Sequence, residues 1–137
     1  DHYFHPGQEQ DFCAGLDVLV CSLPNTPHTS RLVNAAFLAA LPARAIFINV
    51  GRGGVVDETA LLSALYGGRL AGAVLDVFQQ EPLPAGHPLW DAPNTIITAH
   101  TSALSFPGDI VPIFVENFRR MQADEALLYI VDFARGY

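Results

Sequence analysis

The chain has 137 residues, of which half are hydrophobic and 15% charged, a composition that excludes disorder and provides the core of one domain. The net charge is −7, with seven arginines and no lysine, which argues against a nucleic-acid surface. No apolar run reaches the roughly 18–20 residues that span a bilayer.

The pattern opens with a short predicted helix at 8–15 and a first strand at 17–21 (DVLVC). An alanine-rich helix at 34–41 leads to a second strand at 45–50 (AIFINV). The third predicted helix, 57–66, has Asp57 as N-cap, an apolar face at Ala60, Leu61, Ala64 and Leu65, and Gly67-Gly68 as a stop. A third strand at 72–78 (GAVLDVF) is followed by a proline-rich loop at 81–94 and a fourth strand at 95–98 (TIIT). Trp90 and Asp91 are expected to hold that loop on the body. The strands are continuous apolar runs rather than alternations, the pattern of strands buried on both faces of a parallel sheet. Alternating strands and helices then give an α/β fold with a doubly wound parallel sheet. A last helix at 110–121 carries an apolar face at Ile110, Ile113, Phe114, Phe118 and Met121, with Pro112 in its first turn, and a tail at 127–137 reads as extended.

Ligand sites in such sheets lie beyond the carboxyl ends of the strands. Those ends carry Arg52 after the second strand, Asp76 and Glu81 at and after the third, and His100 after the fourth. An arginine, a carboxylate and a histidine from different strands thus converge on one sheet edge. Each residue alone has a bland alternative: a solvated arginine, a loop charge, a capping histidine. His2, His5, His28 and His87 have no convergent partner and read as surface or loop residues; none has metal-ligand spacing with Cys13 or Cys21, so no zinc site is expected. The two cysteines make no disulfide scaffold and fit a cytoplasmic protein. Gly51, Gly53 and Gly54 fail the dinucleotide fingerprint, because Val56 stands where its third small residue belongs, and there is no G-x-S-x-G elbow.

The stretch from Leu41-Pro42 through AIFINVGRGGVVD at 45–57 resembles the arginine signature of the D-isomer-specific 2-hydroxyacid dehydrogenases. GAVLDVF at 72–78, ending in Glu81-Pro82, resembles that family's glutamate motif, and ITAH at 97–100 its histidine motif. The HTS at 100–102 and the tail VDFARGY at 131–137 resemble the glyoxylate/hydroxypyruvate reductase A branch. The resemblance implies a Rossmann-like domain of which this chain is the second half. Residues 1–105 would be the C-terminal half of the NAD(P)-binding domain, and 106–137 a helix and tail returning toward a substrate domain.

The resemblance also implies roles. Arg52 would bind the substrate carboxylate, His100 would be the general acid, and Glu81 would hydrogen-bond His100 and favour its protonated form. Asp76 would face the nicotinamide end of the cofactor, and Leu23, Pro24, Thr29, Val50, Gly51 and Ser102, with Arg52 and His100, would line the cofactor cleft. The cofactor would be NADP or NAD, NADPH favoured, the substrate a small 2-keto acid such as glyoxylate or hydroxypyruvate, and the complete enzyme a homodimer. Residue 1 is Asp rather than Met, and without the phosphate turn the expectation is a chain from a longer enzyme that is inactive alone. The alternative is a non-catalytic nucleotide-sensing or dimerising module of the same fold. Two departures from the family pattern bear on geometry. Arg44 stands where a glycine is usual and would be strained if φ there were positive. Ala99 stands where a proline usually precedes the histidine, which loosens the backbone at His100.

Overall fold

The computed structural model describes residues 2–136. Four strands, β1 (Val18–Cys21), β2 (Ile46–Asn49), β3 (Gly72–Leu75) and β4 (Thr95–Ile97), form one sheet in the order β1-β2-β3-β4, every pair parallel. Helices α1 (Glu9–Cys13), α2 (Ala35–Ala40) and α3 (Glu58–Tyr66) pack side by side as one layer. The connection from β3 to β4 is the proline-rich loop with a 3-10 turn at Pro88–Asp91 instead of a helix. A fourth helix, α4 (Pro107–Gln122), follows the sheet.

The helix ends sit where local chemistry puts them. Asn34 caps α2 by accepting from the Ala36 and Phe37 amides, and Leu41, which precedes Pro42, turns extended and stops the helix. Asp57 caps α3 by accepting from Thr59 and Ala60, and Gly67-Gly68 closes it, with Gly68 at φ +65°. Arg31, at φ +51°, is held by an ion pair to Asp57 and by its amide on the Gly54 carbonyl. Arg44 is not among the residues with positive φ; its turn is closed by Ala45 N–H donating to Pro42, and its side chain pairs with Asp17, so the anticipated strain does not arise.

Burial on both sheet faces, expected from the apolar runs, is not what the described residues show. Leu19, Cys21, Phe47, Ala73 and Leu75 point into one core with Leu38, Leu61 and Leu65. The opposite face carries a register row of Val20, Ile48, Val74 and Ile96 across all four strands, with Val20 57% and Ile96 62% exposed. The cause is handedness. Right-handed crossovers along a sheet that grows in one direction all fall on one face. A doubly wound sheet covers its second face with crossovers of strands added on the other side.

The C-terminal part also departs from expectation. Helix α4 begins at Pro107, not at 110, because Pro107 takes an early position where its missing N–H costs nothing. Pro112 is therefore inside the helix. No residue of α4 is buried, and Ile110, Ile113, Phe114, Phe118 and Met121 are all exposed. The tail forms no strand among the described residues. Leu128 exchanges two hydrogen bonds with the Asn117 amide, Tyr129 takes φ +57°, and the Asp132 side chain accepts from Ala134 and Arg135 to form a turn. Tyr137 lies outside the described residues.

Candidate active site

The carboxyl ends of the strands release four loops, and close backbone approach locks them together. Gly51 lies against the loop after β1: a Cβ there would come within 2.6 Å of the Leu23 carbonyl oxygen. Gly53 lies against the loop after β3, where a Cβ would sit 1.9 Å from the Phe78 carbonyl carbon. The glycines that failed as a phosphate turn therefore serve contact between loops. Asn49, buried at 1% exposure, braces the turn between them. Its Oδ1 accepts from Gly51 N at 3.2 Å and its Nδ2 donates to the Arg52 carbonyl at 3.4 Å.

Arg52 is exposed at the tip of this turn, its Nη1 donating to the Gly51 carbonyl. Arg52, Glu81 and His100 line one open cavity of about 590 Å³ with Asn25, Arg31 and Gln79. His100 Nδ1 lies 2.7 Å from Glu81 Oε2, and Glu81 Oε1 accepts from Phe78 N at 2.9 Å. Those bonds, from His100 first and then Phe78, hold the Glu81 carboxyl below its ordinary value against a smaller opposing effect of burial; the nearby Arg52 charge adds to the lowering. A second cavity of about 430 Å³ is bounded by the same pair together with Asp76, Leu83, Trp90 and Ile97. The three residues read from the strand ends are brought to one cavity.

Asp76, 2% exposed, borders this second cavity. Its carboxylate accepts from Thr98 Oγ1 and, at 2.9 Å each, from Thr101 N and Ser102 N, while its carbonyl accepts from His100 N at 2.8 Å. Burial disfavours the ionised form, but these bonds outweigh it and hold the carboxyl far below the carboxylate range.

Leu23 and Pro24 are exposed beside Gly51, and Val50 is half-buried. Thr29 is turned into its own loop, its hydroxyl donating to the Pro24 carbonyl at 2.5 Å and meeting Thr26 Oγ1 at 2.9 Å. Cys21 and Cys13 are free and buried, and burial pushes both thiols up. Trp90 donates to the Pro84 carbonyl and Asp91 accepts from Tyr66 Oη through its own carbonyl, so both hold the proline loop as expected.

Three polar residues escaped the sequence reading. His87, read there as a residue without partners, caps the 3-10 turn by accepting from Leu89 N and places Nε2 3.5 Å from Glu58. Glu58 also accepts from Gln79 N at 2.8 Å, and Gln79 Nε2 donates to the Val56 carbonyl, so the turn leading to Glu81 is fastened to the start of α3. For Asn49 the available signal was a polar residue inside an apolar run, which must find partners once buried.

A parallel α/β sheet that carries an arginine and a glutamate-paired histidine at its carboxyl edge has the architecture of a nucleotide-fold domain. The family described as D-isomer specific 2-hydroxyacid dehydrogenase, NAD binding domain, matches residues 2–102, and the chain belongs to that family. Glyoxylate/hydroxypyruvate reductase A of Yersinia enterocolitica is 39% identical over 133 residues, 96% of this chain and 42% of that protein. A D-isomer specific 2-hydroxyacid dehydrogenase from Xanthobacter autotrophicus Py2, solved in complex with NADPH and MES, is 48% identical with a TM-score of 0.91 over 96% of this chain and 55% of that one. The NADPH-dependent glyoxylate/hydroxypyruvate reductase of Sinorhizobium meliloti, solved with NADP and sulfate, is 35% identical with a TM-score of 0.89, covering 98% of this chain and 44% of that one. The chain thus spans about two fifths of the length of the curated relatives it matches. No helix among the described residues is long and apolar enough to cross a membrane.

Proposed function

We propose that this chain carries the acid/base half of the active site of a reductase that converts small 2-keto acids, glyoxylate or hydroxypyruvate, to D-2-hydroxy acids with NADPH or NADH. The observation that carries the reading is the shared cavity of Arg52, Glu81 and His100, with the imidazole already bonded to the carboxylate.

Arg52 offers a planar fork to the substrate carboxylate, which fixes where the 2-keto carbon sits. Because His100 Nδ1 is committed to Glu81, the atom left to hold a proton for the substrate's carbonyl oxygen is Nε2. Glu81, ionised and fixed by Phe78 N, sets the ring orientation. The nicotinamide cofactor supplies the hydride when bound. The residues present fit its nicotinamide end: Leu23 and Pro24 give an exposed apolar surface, brought flush with the Arg52 turn by the side-chain-free Gly51, with Val50 beneath it. Thr29 shapes that surface through its bond to the Pro24 carbonyl, and Ser102 is fastened to Asp76 in the loop after β4. The names of the relatives, above all those solved with NADPH or NADP, support NADPH over NADH.

The reading extends to a cytoplasmic homodimer, for which the family resemblance is the support. It is tested by following NADPH oxidation with hydroxypyruvate and with glyoxylate in the gene product that carries this chain. Turnover with either acid is expected. Cofactor binding without turnover of any 2-keto acid would instead support a non-catalytic module.

A further inference from the structure

We propose that Glu58 is a positioning residue for the Glu81–His100 pair: by holding the chain on either side of Glu81, it sets where that carboxylate, and through it the His100 ring, stands. The proposal rests on the reductase reading above and names a further determinant of that site.

Glu81 and His100 are both exposed, so hydrogen bonds rather than packing decide their position. The stretch at 77–81 that delivers Glu81 has left the sheet, and among the described residues it makes no backbone–backbone hydrogen bond. Its consecutive amides at Phe78 and Gln79 donate instead to two carboxylates. Phe78 N bonds Glu81 Oε1 at 2.9 Å, and Gln79 N bonds Glu58 Oε1 at 2.8 Å. The first bond orients the Glu81 carboxylate, and the second fixes the turn that offers it.

Glu58 also holds the chain beyond Glu81. Its Oε2 lies 3.5 Å from His87 Nε2. His87 Nδ1 accepts from Leu89 N, so Nε2 is the ring atom that carries a proton toward Glu58. Glu81 therefore lies between two points, residues 79 and 87, held by one carboxylate. That carboxylate stands on a rigid element, the first turn of α3, whose amides Asp57 caps. The Gln79 side chain adds a bond to the Val56 carbonyl, which steadies residue 79 but not residue 87. Gly53 bounds the turn from the Arg52 side, where a Cβ would lie 2.5 Å from Gln79 N. Catalysis depends steeply on placement, and a shift of about 1 Å in a reacting group can cost about a hundredfold in rate.

The test uses Glu58→Ala and Glu58→Gln in the gene product carrying this chain. Alanine frees both anchor points. The kcat for hydroxypyruvate is expected to fall by about tenfold or more, with the Kd for NADPH, read from nicotinamide fluorescence, within about twofold of the parent. Glutamine keeps an acceptor for the Gln79 amide and is expected to recover most of the lost rate. A lowered urea midpoint with kcat unchanged in Glu58→Ala would overturn the proposal and leave Glu58 a support of the fold alone. Glutamine no better than alanine, or a fall in kcat matched by an equal rise in Kd, would also overturn it. Should Glu58→Ala fail to fold, His87→Ala releases residue 87 alone; a smaller fall in kcat at constant Kd is expected, and a kcat equal to the parent's contradicts the proposal. A readout free of turnover is the nitrogen NMR signal of His100 Nδ1, expected to move in Glu58→Ala and to return toward the parent's position in Glu58→Gln. If the parent turns over no 2-keto acid, the reductase reading fails and this signal alone decides the positioning role: a signal unmoved in Glu58→Ala contradicts it.

Discussion

Gly53 and Phe78 touch backbone to backbone: a Cβ on the glycine would lie 1.9 Å from the Phe78 carbonyl carbon and 2.0 Å from its oxygen. The loop that carries Arg52 and the loop that carries Glu81 therefore share one surface with no room for a methyl group. The obstacle is main chain on both sides, so it cannot move aside as a flexible side chain would. Gly53→Ala is expected to destabilise the protein by about 2–3 kcal/mol or more. Urea unfolding checks it, and a midpoint equal to the parent's would show that the loops are not locked as described.

Asn49 ties the same turn to β2 through two amide hydrogen bonds. Replacing it by leucine removes both and leaves the Gly51 amide and Arg52 carbonyl to find new partners. Because Arg52 is assigned to carboxylate binding, the loss should raise KM for the keto acid more than it lowers kcat. Steady-state kinetics separate the two, and a kcat loss at constant KM would detach Asn49 from Arg52.

The depressed Glu81 carboxyl gives a pH dependence of defined sign. Its hydrogen bond from His100, then that from Phe78, lower the folded value below the ordinary 4.5. A carboxyl lowered on folding stabilises the protein above the unfolded value, and that stabilisation is lost as pH falls through the folded one. Glu81→Gln should therefore be less stable than the parent at pH 7, and the gap should close as the pH drops below 4.5. Parallel urea melts across that range measure it. A gap that widens on acidification would mean the glutamate is not stabilised in its ionised form.

Asp57 has two jobs at the start of α3, capping the Thr59 and Ala60 amides and pairing with Arg31. Asp57→Ala is expected to cost about 1–2 kcal/mol, mostly from the cap, since the exposed ion pair adds little. Raising the salt concentration should leave most of that difference in the urea midpoint. A difference abolished by salt would reassign it to the ion pair.

Much of this molecule is legible in its sequence, and the limits have physical reasons. The four strands are found within a few residues because their apolar runs are continuous. Their paired parts are shorter than the runs, because Val50 and the 76–78 stretch continue past the ladder to build the site. What the runs cannot tell is whether a face is covered: Val20 and Ile96 look like any core residue until the crossovers are seen to fall on the other side. Arg52, Glu81 and His100 are legible because each lies just beyond a strand end, where parallel-sheet geometry gathers residues. Glu58 is not, because it accepts from the Gln79 amide, far along the chain, and no local pattern marks that contact. His87 looks like a loop histidine for the same reason, its partners being the Leu89 amide and Glu58.

The most direct test of the central claim is His100→Asn in the gene product carrying this chain, with hydroxypyruvate-dependent NADPH oxidation and NADPH affinity measured side by side. If His100 is the general acid, kcat falls by about a hundredfold or more while the Kd for NADPH stays within about twofold of the parent. Turnover retained at the parent's rate would contradict the assignment and remove the acid/base site from this chain.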